Sequence, residues 1–160
     1  MFEACNCLLH GQARGSRQTT EELGVFITTT IYKKLATTCG QGLEVFSQVN
    51  FKAGTASSRE GTYIWGQDGA YHVIYAKRSS ISNALTLKTT KEVLVYVLDM
   101  VAFEEACAYE LKHRVSNQDS RRLIFAKELE IFSKFGPRMA QIKKRKIEKY
   151  LEKFPYDDSI

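Results

Sequence analysis

Glu110-Leu111-Lys112-His113 sets a carboxylate and an imidazole three residues apart, the spacing by which one helix offers two ligands to a metal. A di-iron carboxylate site takes a second Glu-x-x-His from another helix, and the chain contains none. A salt-bridged or helix-end histidine is the plainer reading. Cys5, Cys7 and His10 could supply three zinc ligands, with Cys39 or Cys107 as a fourth. Structural zinc sites pair two short knuckles, whereas one is present here, and Cys7-Leu8-Leu9 reads equally as an apolar first element. Nucleophilic catalysis needs a nucleophile, a base and an orienting group within mutual reach. His10, His72 and His113 fall in separate contexts, and no Gly-x-Ser-x-Gly elbow, Gly-rich phosphate loop or His-Glu-x-x-His occurs. Glu104 and Glu105 are adjacent, and adjacent helix residues point about 100° apart. The expectation is a binding protein without catalytic residues, cofactor or metal.

Two further groups carry charge in a pattern. Lys143-Lys144-Arg145-Lys146 is the one cluster that would gain from releasing counterions on a phosphate backbone. It lies inside an amphipathic helix, so a solvated face is the expectation and a phosphate surface the alternative, and no known nucleic-acid-reading motif accompanies it. The second group runs from Tyr109 and Glu110 through His113 and Arg114 to Asp119, Arg121, Arg122 and Phe125. Glu110 and Arg114 stand four apart in the favourable acid-before-base order. Asp119 is placed to cap the next helix, which puts Arg121 and Arg122 in a first turn where the helix dipole disfavours cations. Both arginines need carboxylates, and Glu110 is the nearest candidate. The expectation is a polar clamp at a helix corner; an anion or partner site is the alternative.

The elements that must position these residues follow from periodicity. Thr19-Thr20-Glu21-Glu22 is a capping box for a helix to about Thr38, ahead of Gly40 and Gly42. Leu43, Val45, Val49 and Phe51 alternate as one face of a strand. Tyr63–Trp65 and Tyr71–Tyr75 flank Asp68-Gly69, a hairpin signal because glycine accepts positive φ at low cost. Tyr71, Val73 and Tyr75 should share one face, with His72 and Ile74 on the other. Thr89 or Thr90 starts a helix to about Arg114, apolar nearly all round in its first half and therefore buried there. Its apolar positions are Leu94, Val97, Leu98, Val101, Ala108 and Leu111. Asp119 starts a second helix to about Phe135, bearing Leu123, Phe125, Ala126, Leu129, Ile131, Phe132 and Phe135 inward. Pro137 opens a third that runs to Pro155. The fold class expected is α+β: a small antiparallel sheet of about three strands, one hairpin among them, against a layer of antiparallel helices.

The chain has 160 residues, 44% hydrophobic and 26% charged, which suits one domain over 1–160. Its net charge of +5 is concentrated, since residues 141–153 hold six cations against two acids. No apolar run approaches the roughly 20 residues of a membrane span. The start lacks the basic and apolar regions of a signal peptide, and the four cysteines have no framework spacing. Free thiols in a cytosolic protein are the expectation.

The corner motif Tyr109-Glu110-x-x-His113-Arg114, four residues, Asp119-x-Arg121-Arg122-x-x-Phe125 is followed by Glu128-Leu129-Glu130 and by Phe154-Pro155-Tyr156-Asp157. Together with the hairpin and Lys77-Arg78 it resembles an immunity-protein family of bacterial polymorphic toxin systems, the one numbered 63. The resemblance covers roughly residues 61–158; Met1 to Lys52 carries no motif that aligns. It implies a cytosolic protein made beside a contact-dependent or otherwise secreted toxin, whose C-terminal effector domain it binds and occludes. Glu110, Arg114, Asp119, Arg121 and Arg122 would be the family's polar signature, read as fold-defining. Inhibitors of nucleases are commonly acidic, so a basic chain points to an acidic toxin surface or to an interface away from the Lys143 helix. Tyr63, Trp65, Asp68 and Tyr71 of the hairpin are the expected partner contacts, since Trp and Tyr are enriched at binding hot spots. The same rings serve equally as core against the helices.

Overall fold

A computed structural model describes residues 19–36, 44, 46–55, 57–78 and 80–159. The candidate ligands Cys5, Cys7, His10 and Cys39 lie outside these residues; Cys107 is a free, half-buried thiol. Helix α1 (Thr20–Leu35) begins with the expected capping box: the Thr19 hydroxyl accepts from the Glu22 amide at 3.2 Å, and the Thr19 amide donates to Glu22 Oε2 at 2.9 Å. Leu23, Ile27, Ile31 and Leu35 recur at helical spacing and are fully buried. The helix stops at Leu35 rather than near Thr38.

The strand expected over Leu43–Phe51 shrinks to β1 (Val49–Asn50), because residues 44 and 46 are helical. Phe46 is buried, its ring 5.7 Å from that of Tyr32 and 6.5 Å from that of Phe51. Phe46, absent from the alternating set, packs inward, and Val49 and Phe51 pack against the same core. Strands β2 (Gly61–Gln67) and β3 (Ala70–Lys77) form the hairpin, with φ of 47° at Asp68 and 81° at Gly69 as a two-residue turn requires. The chain returns as β4 (Ser80–Leu87), a strand not anticipated, giving the order β1-β2-β3-β4. β1 runs parallel to β2, so the sheet is mixed rather than purely antiparallel.

The sheet's first face carries Ile64, Tyr71 and Val73 into the main core, where α1 and the helical layer meet it. Its second face gathers Tyr63, Ile74 and Ala76, with Trp65 beside them. Helix α2 (Thr90–His113) is capped by Thr89 and buries Val93, Leu94, Val97, Leu98, Val101 and Ala102. Leu111, expected on that inner face, is 69% exposed. Helix α3 (Arg121–Ser133) turns back, with Ile131 and Phe132 buried and Ala126 exposed. Gly136, at φ 101°, makes the turn into α4 (Pro137–Lys153). Among the described residues, helices α1 to α4 and the mixed sheet make an α+β fold.

Candidate functional site

The corner motif folds into two separate clamps. At the end of α2, Arg114 donates to Glu110 through Nε at 2.8 Å and Nη2 at 2.9 Å, a two-pronged pair across one helical turn. The Arg114 hydrogen bond holds the buried Glu110 carboxyl below its ordinary pKa. His113 turns elsewhere: its Nδ1 lies 2.8 Å from the Tyr109 carbonyl oxygen, and its ring stacks on that of Tyr109 with centroids 4.0 Å apart. Glu110 and His113 therefore do not converge on one point in space.

The second clamp ties the last residues of the chain to the start of α3. Asp119, buried, accepts from the Arg121 guanidinium, the Arg121 amide and the Asp157 amide, the latter two at 2.9 Å. The Asp119 amide donates to Asp158 at 2.9 Å. Arg121 also donates to the carbonyls of Phe154 at 2.9 Å and Pro155 at 2.8 Å. Arg122 makes a two-pronged pair with Asp158 at 3.0 and 2.7 Å. Arg121 above all, with the two amides, holds the Asp119 carboxyl well below the usual carboxylate range.

Two details differ from the sequence reading. Ser120 occupies the cap position without a side-chain cap bond, Asp119 acting from one residue earlier. The second arginine's carboxylate is Asp158, 36 residues away, and not Glu110. The first arginine is satisfied by Asp119 and two tail carbonyls.

Around this clamp the tail's aromatic rings are ordered. The Arg122 guanidinium lies 4.2 Å from the Tyr156 ring centroid, within cation–π range. Phe125 meets Tyr150 at 5.8 Å and Tyr156 at 6.2 Å; Tyr150 meets Phe154 at 5.1 Å. Tyr150 and Phe154 remain 45% and 55% exposed.

The basic run is divided by helical geometry. Lys143 stands between Met139 and Ile147 on the inner side of α4 and is itself buried, against the expectation of a solvated face. Its ammonium donates to Glu128 of α3 at 2.6 Å and to Asp99 of α2 at 3.2 Å. It also lies 5.4 Å from the Phe132 ring centroid. Lys146 pairs with the other oxygen of Asp99. Burial pushes the Glu128 carboxyl up, with Lys143 opposing. Lys144 stands 3.8 Å from Glu148, and Arg145 points outward. As a phosphate surface the run loses Lys143 and Lys146 to internal pairs. The sequence marks Glu128 only as part of the Glu128-Leu129-Glu130 motif, because its neighbours Lys127 and Leu129 read as ordinary helix. The signal was the pair Glu128/Lys143 on two adjacent antiparallel helices.

The hairpin aromatics divide similarly. Tyr63 is buried, its hydroxyl donating to the Arg59 carbonyl at 2.9 Å, and Tyr71 is buried with its hydroxyl 3.0 Å from that of Thr90. Both are core residues and neither presents a ring to a partner. Trp65 is half-buried and stacks on His72 at 5.5 Å; Asp68 is exposed at the turn.

The segment that contains the hairpin's second strand, both clamped helices and the Lys143 network is also the one that matches a known family. The model of immunity protein 63 matches residues 67–149. The chain belongs to the immunity protein 63 family. No curated protein and no solved structure gives a significant match. Within the matched segment of this immunity protein, buried Glu128 and Lys143 pair across α3 and α4, an arrangement suited to fixing helices against one another, while buried Glu110 pairs with Arg114 at the end of α2. Among the described residues no group of three or more His, Cys, Asp or Glu side chains is placed to hold a metal ion, and no helix is long and apolar enough to cross a membrane.

Proposed function

We propose that this protein neutralises a secreted toxin by binding the C-terminal effector domain of its cognate partner, one to one, in the cytosol, and that it acts by occlusion without catalysis. The observation that carries the reading is the family match over residues 67–149. The geometry supports it in one respect. The carboxylates and cations singled out as candidate chemistry pair with one another in separate places, so binding by a rigid surface is the function that such an arrangement serves best. The nucleic-acid reading is the weaker one, because two of its four cations are held by Asp99 and Glu128.

The experiment is inhibition of the effector domain encoded beside this chain. Activity should fall to zero at one equivalent of the purified protein, while toxins of unrelated type keep theirs. Full effector activity at a ten-fold excess of the protein would reject the proposal.

A further inference from the structure

Among the described residues, three surfaces compare as places for a partner. A groove between β4 and the helices is lined by Leu85, Leu87, Val95 and Tyr96, but its acids are already engaged: Asp99 holds Lys143 and Lys146, and Glu92 accepts from the Lys88 amide. An open groove beside α1 runs from Val25 and Thr28 to Phe51 and Trp65, lined by one acid, Glu21, and one cation, Lys52, which give a partner no field of one sign. The third is the aromatic rim at the end of α4, and it has features the others lack.

The segment after α4 has no helix or strand of its own, yet it is fastened by hydrogen bonds to Asp119, Arg121 and Arg122. The fastening begins at Phe154, whose ring packs against that of Tyr150 on α4 at 5.1 Å, and both rings stay about half exposed. Ordering an exposed aromatic ring costs side-chain entropy and returns little apolar burial within the monomer. A partner surface gains from that ordering, since a ring fixed in advance loses less on binding.

Beside the rings, Arg145, Lys149 and Lys153 recur every fourth residue and so form one column along α4. None of the three has an ion pair among the described residues. The acids of this stretch, Glu148 and Glu152, form a separate column.

We infer that the toxin-facing surface is this rim, Tyr150 and Phe154 as anchors with Arg145, Lys149 and Lys153 beside them, and that its occupant is an apolar depression edged by carboxylates on the effector domain. The inference rests on the function proposed above. It places the basic helix at the interface through its outward column, while Lys143 stays internal.

The test uses the full chain and a catalytically inactive form of the effector domain encoded beside it, with affinity and rates read by surface-immobilised binding. Tyr150→Ala/Phe154→Ala should weaken binding by about 100-fold or more, as loss of two hot-spot aromatics does, while Val25→Ser and Leu85→Ser leave it unchanged. Lys149→Glu/Lys153→Glu removes no ion pair or hydrogen bond found among the described residues, and a thermal melt checks that the variant folds. The charge reversal should lower the association rate by about ten-fold at low salt, with the difference closing as salt rises. Wild-type binding with both pairs of substitutions within about three-fold of it overturns the rim as the interface. An unchanged association rate for the charge-reversed pair at low salt overturns the acidic partner. Absence of wild-type binding overturns the functional reading beneath both.

Discussion

Replacing Lys143 by methionine keeps most of the side chain's length and apolar stem and removes its charge. The Glu128 carboxylate, 3% exposed, would then have no cation at 2.6 Å, and Asp99 would retain Lys146. Leaving one partner of a buried pair costs about 3–5 kcal/mol. A second route limits that cost, because the stranded carboxyl can take up a proton. From an unfolded value near 4.3, neutralising it at pH 7 costs about 3.7 kcal/mol at 1.36 kcal/mol per pH unit. The smaller figure governs, so Lys143→Met should cost about 3–4 kcal/mol at pH 7 and about 1 kcal/mol at pH 5. The sign follows from the direction of the shift. Glu128 already has a raised folded pKa, so its contribution is fully present below the unfolded value and is lost as pH rises through the folded one; removing Lys143 widens that window upward. Glu128→Met/Lys143→Met leaves neither charge and should return to within about 1 kcal/mol of wild type. Trp65, the chain's single tryptophan, stands half-buried against His72 and reports urea unfolding by fluorescence. In thermal melts the single variant's loss at pH 7 corresponds to roughly 6–16 °C. A pH-independent cost, or a double variant no better than the single, would refute the argument that the buried carboxylate is what Lys143 serves.

Asp119 has the opposite sign. Its folded pKa is depressed, so its stabilisation is present above about pH 4, the ordinary carboxylate value, and is lost as pH falls below it. Asp119→Asn should therefore lower the melting temperature at pH 7 and converge on wild type in acid, read from melts taken between pH 7 and pH 2. Thr19→Ala removes one half of the capping box and should cost about 1 kcal/mol in urea titrations. Gly54→Ala would place a Cβ 2.5 Å from Tyr63 Cγ and 2.7 Å from its Cβ, atoms too close to the backbone to swing away. The expected loss is about 1–3 kcal/mol, and an unchanged midpoint would count against the packing of that loop on the second sheet face.

What was legible in the sequence is what local periodicity or a short motif carries. The capping box, the Asp68-Gly69 turn and the buried first half of α2 are of this kind, and each stands where its residues place it. β4 carries only a thin alternating signal, Ile81, Leu85 and Leu87 with Asn83 in the remaining place, and the structure departs even from that. A bulge shifts the register between Val73 and Tyr75, so Leu85 and Leu87 lie on the face of Val73 and Tyr71 while Ile81 opposes Ala76 on the other. Alternation counted along residues 80–87 would assign all three apolar residues to one face. The tail clamp depends on Asp119 finding Asp157 and Asp158, and no local pattern specifies a contact across 38 or 39 residues. Lys143 was misread for a related reason. A run of four cations looks solvated as a string, but at 100° per residue it spans most of a turn, so one member faces inward.

These corrections bear on how α4 is held. It buries only two large apolar side chains, Met139 and Ile147, and between them stands Lys143 rather than a third. Apolar burial of that extent is modest for a helix of 17 residues, and charge takes over where it is lacking. Near its middle α4 is held by Lys143 on Glu128 and Lys146 on Asp99; just past its end, Arg121 and Asp119 of the α3 corner hold the backbone that follows. Directional bonds at two points fix rotation about the helix axis, which a short apolar stripe alone does not. With rotation fixed, the column Arg145, Lys149 and Lys153 and the rings of Tyr150 and Phe154 keep one outward orientation. Loosening either attachment should then weaken a partner's grip without touching a contact residue. Asp119→Asn is the variant that separates this view from a purely structural role for the clamp: at a temperature where it remains folded, its toxin affinity should still fall. An affinity equal to wild type in the folded variant would mean that the tail's geometry does not matter to the interface.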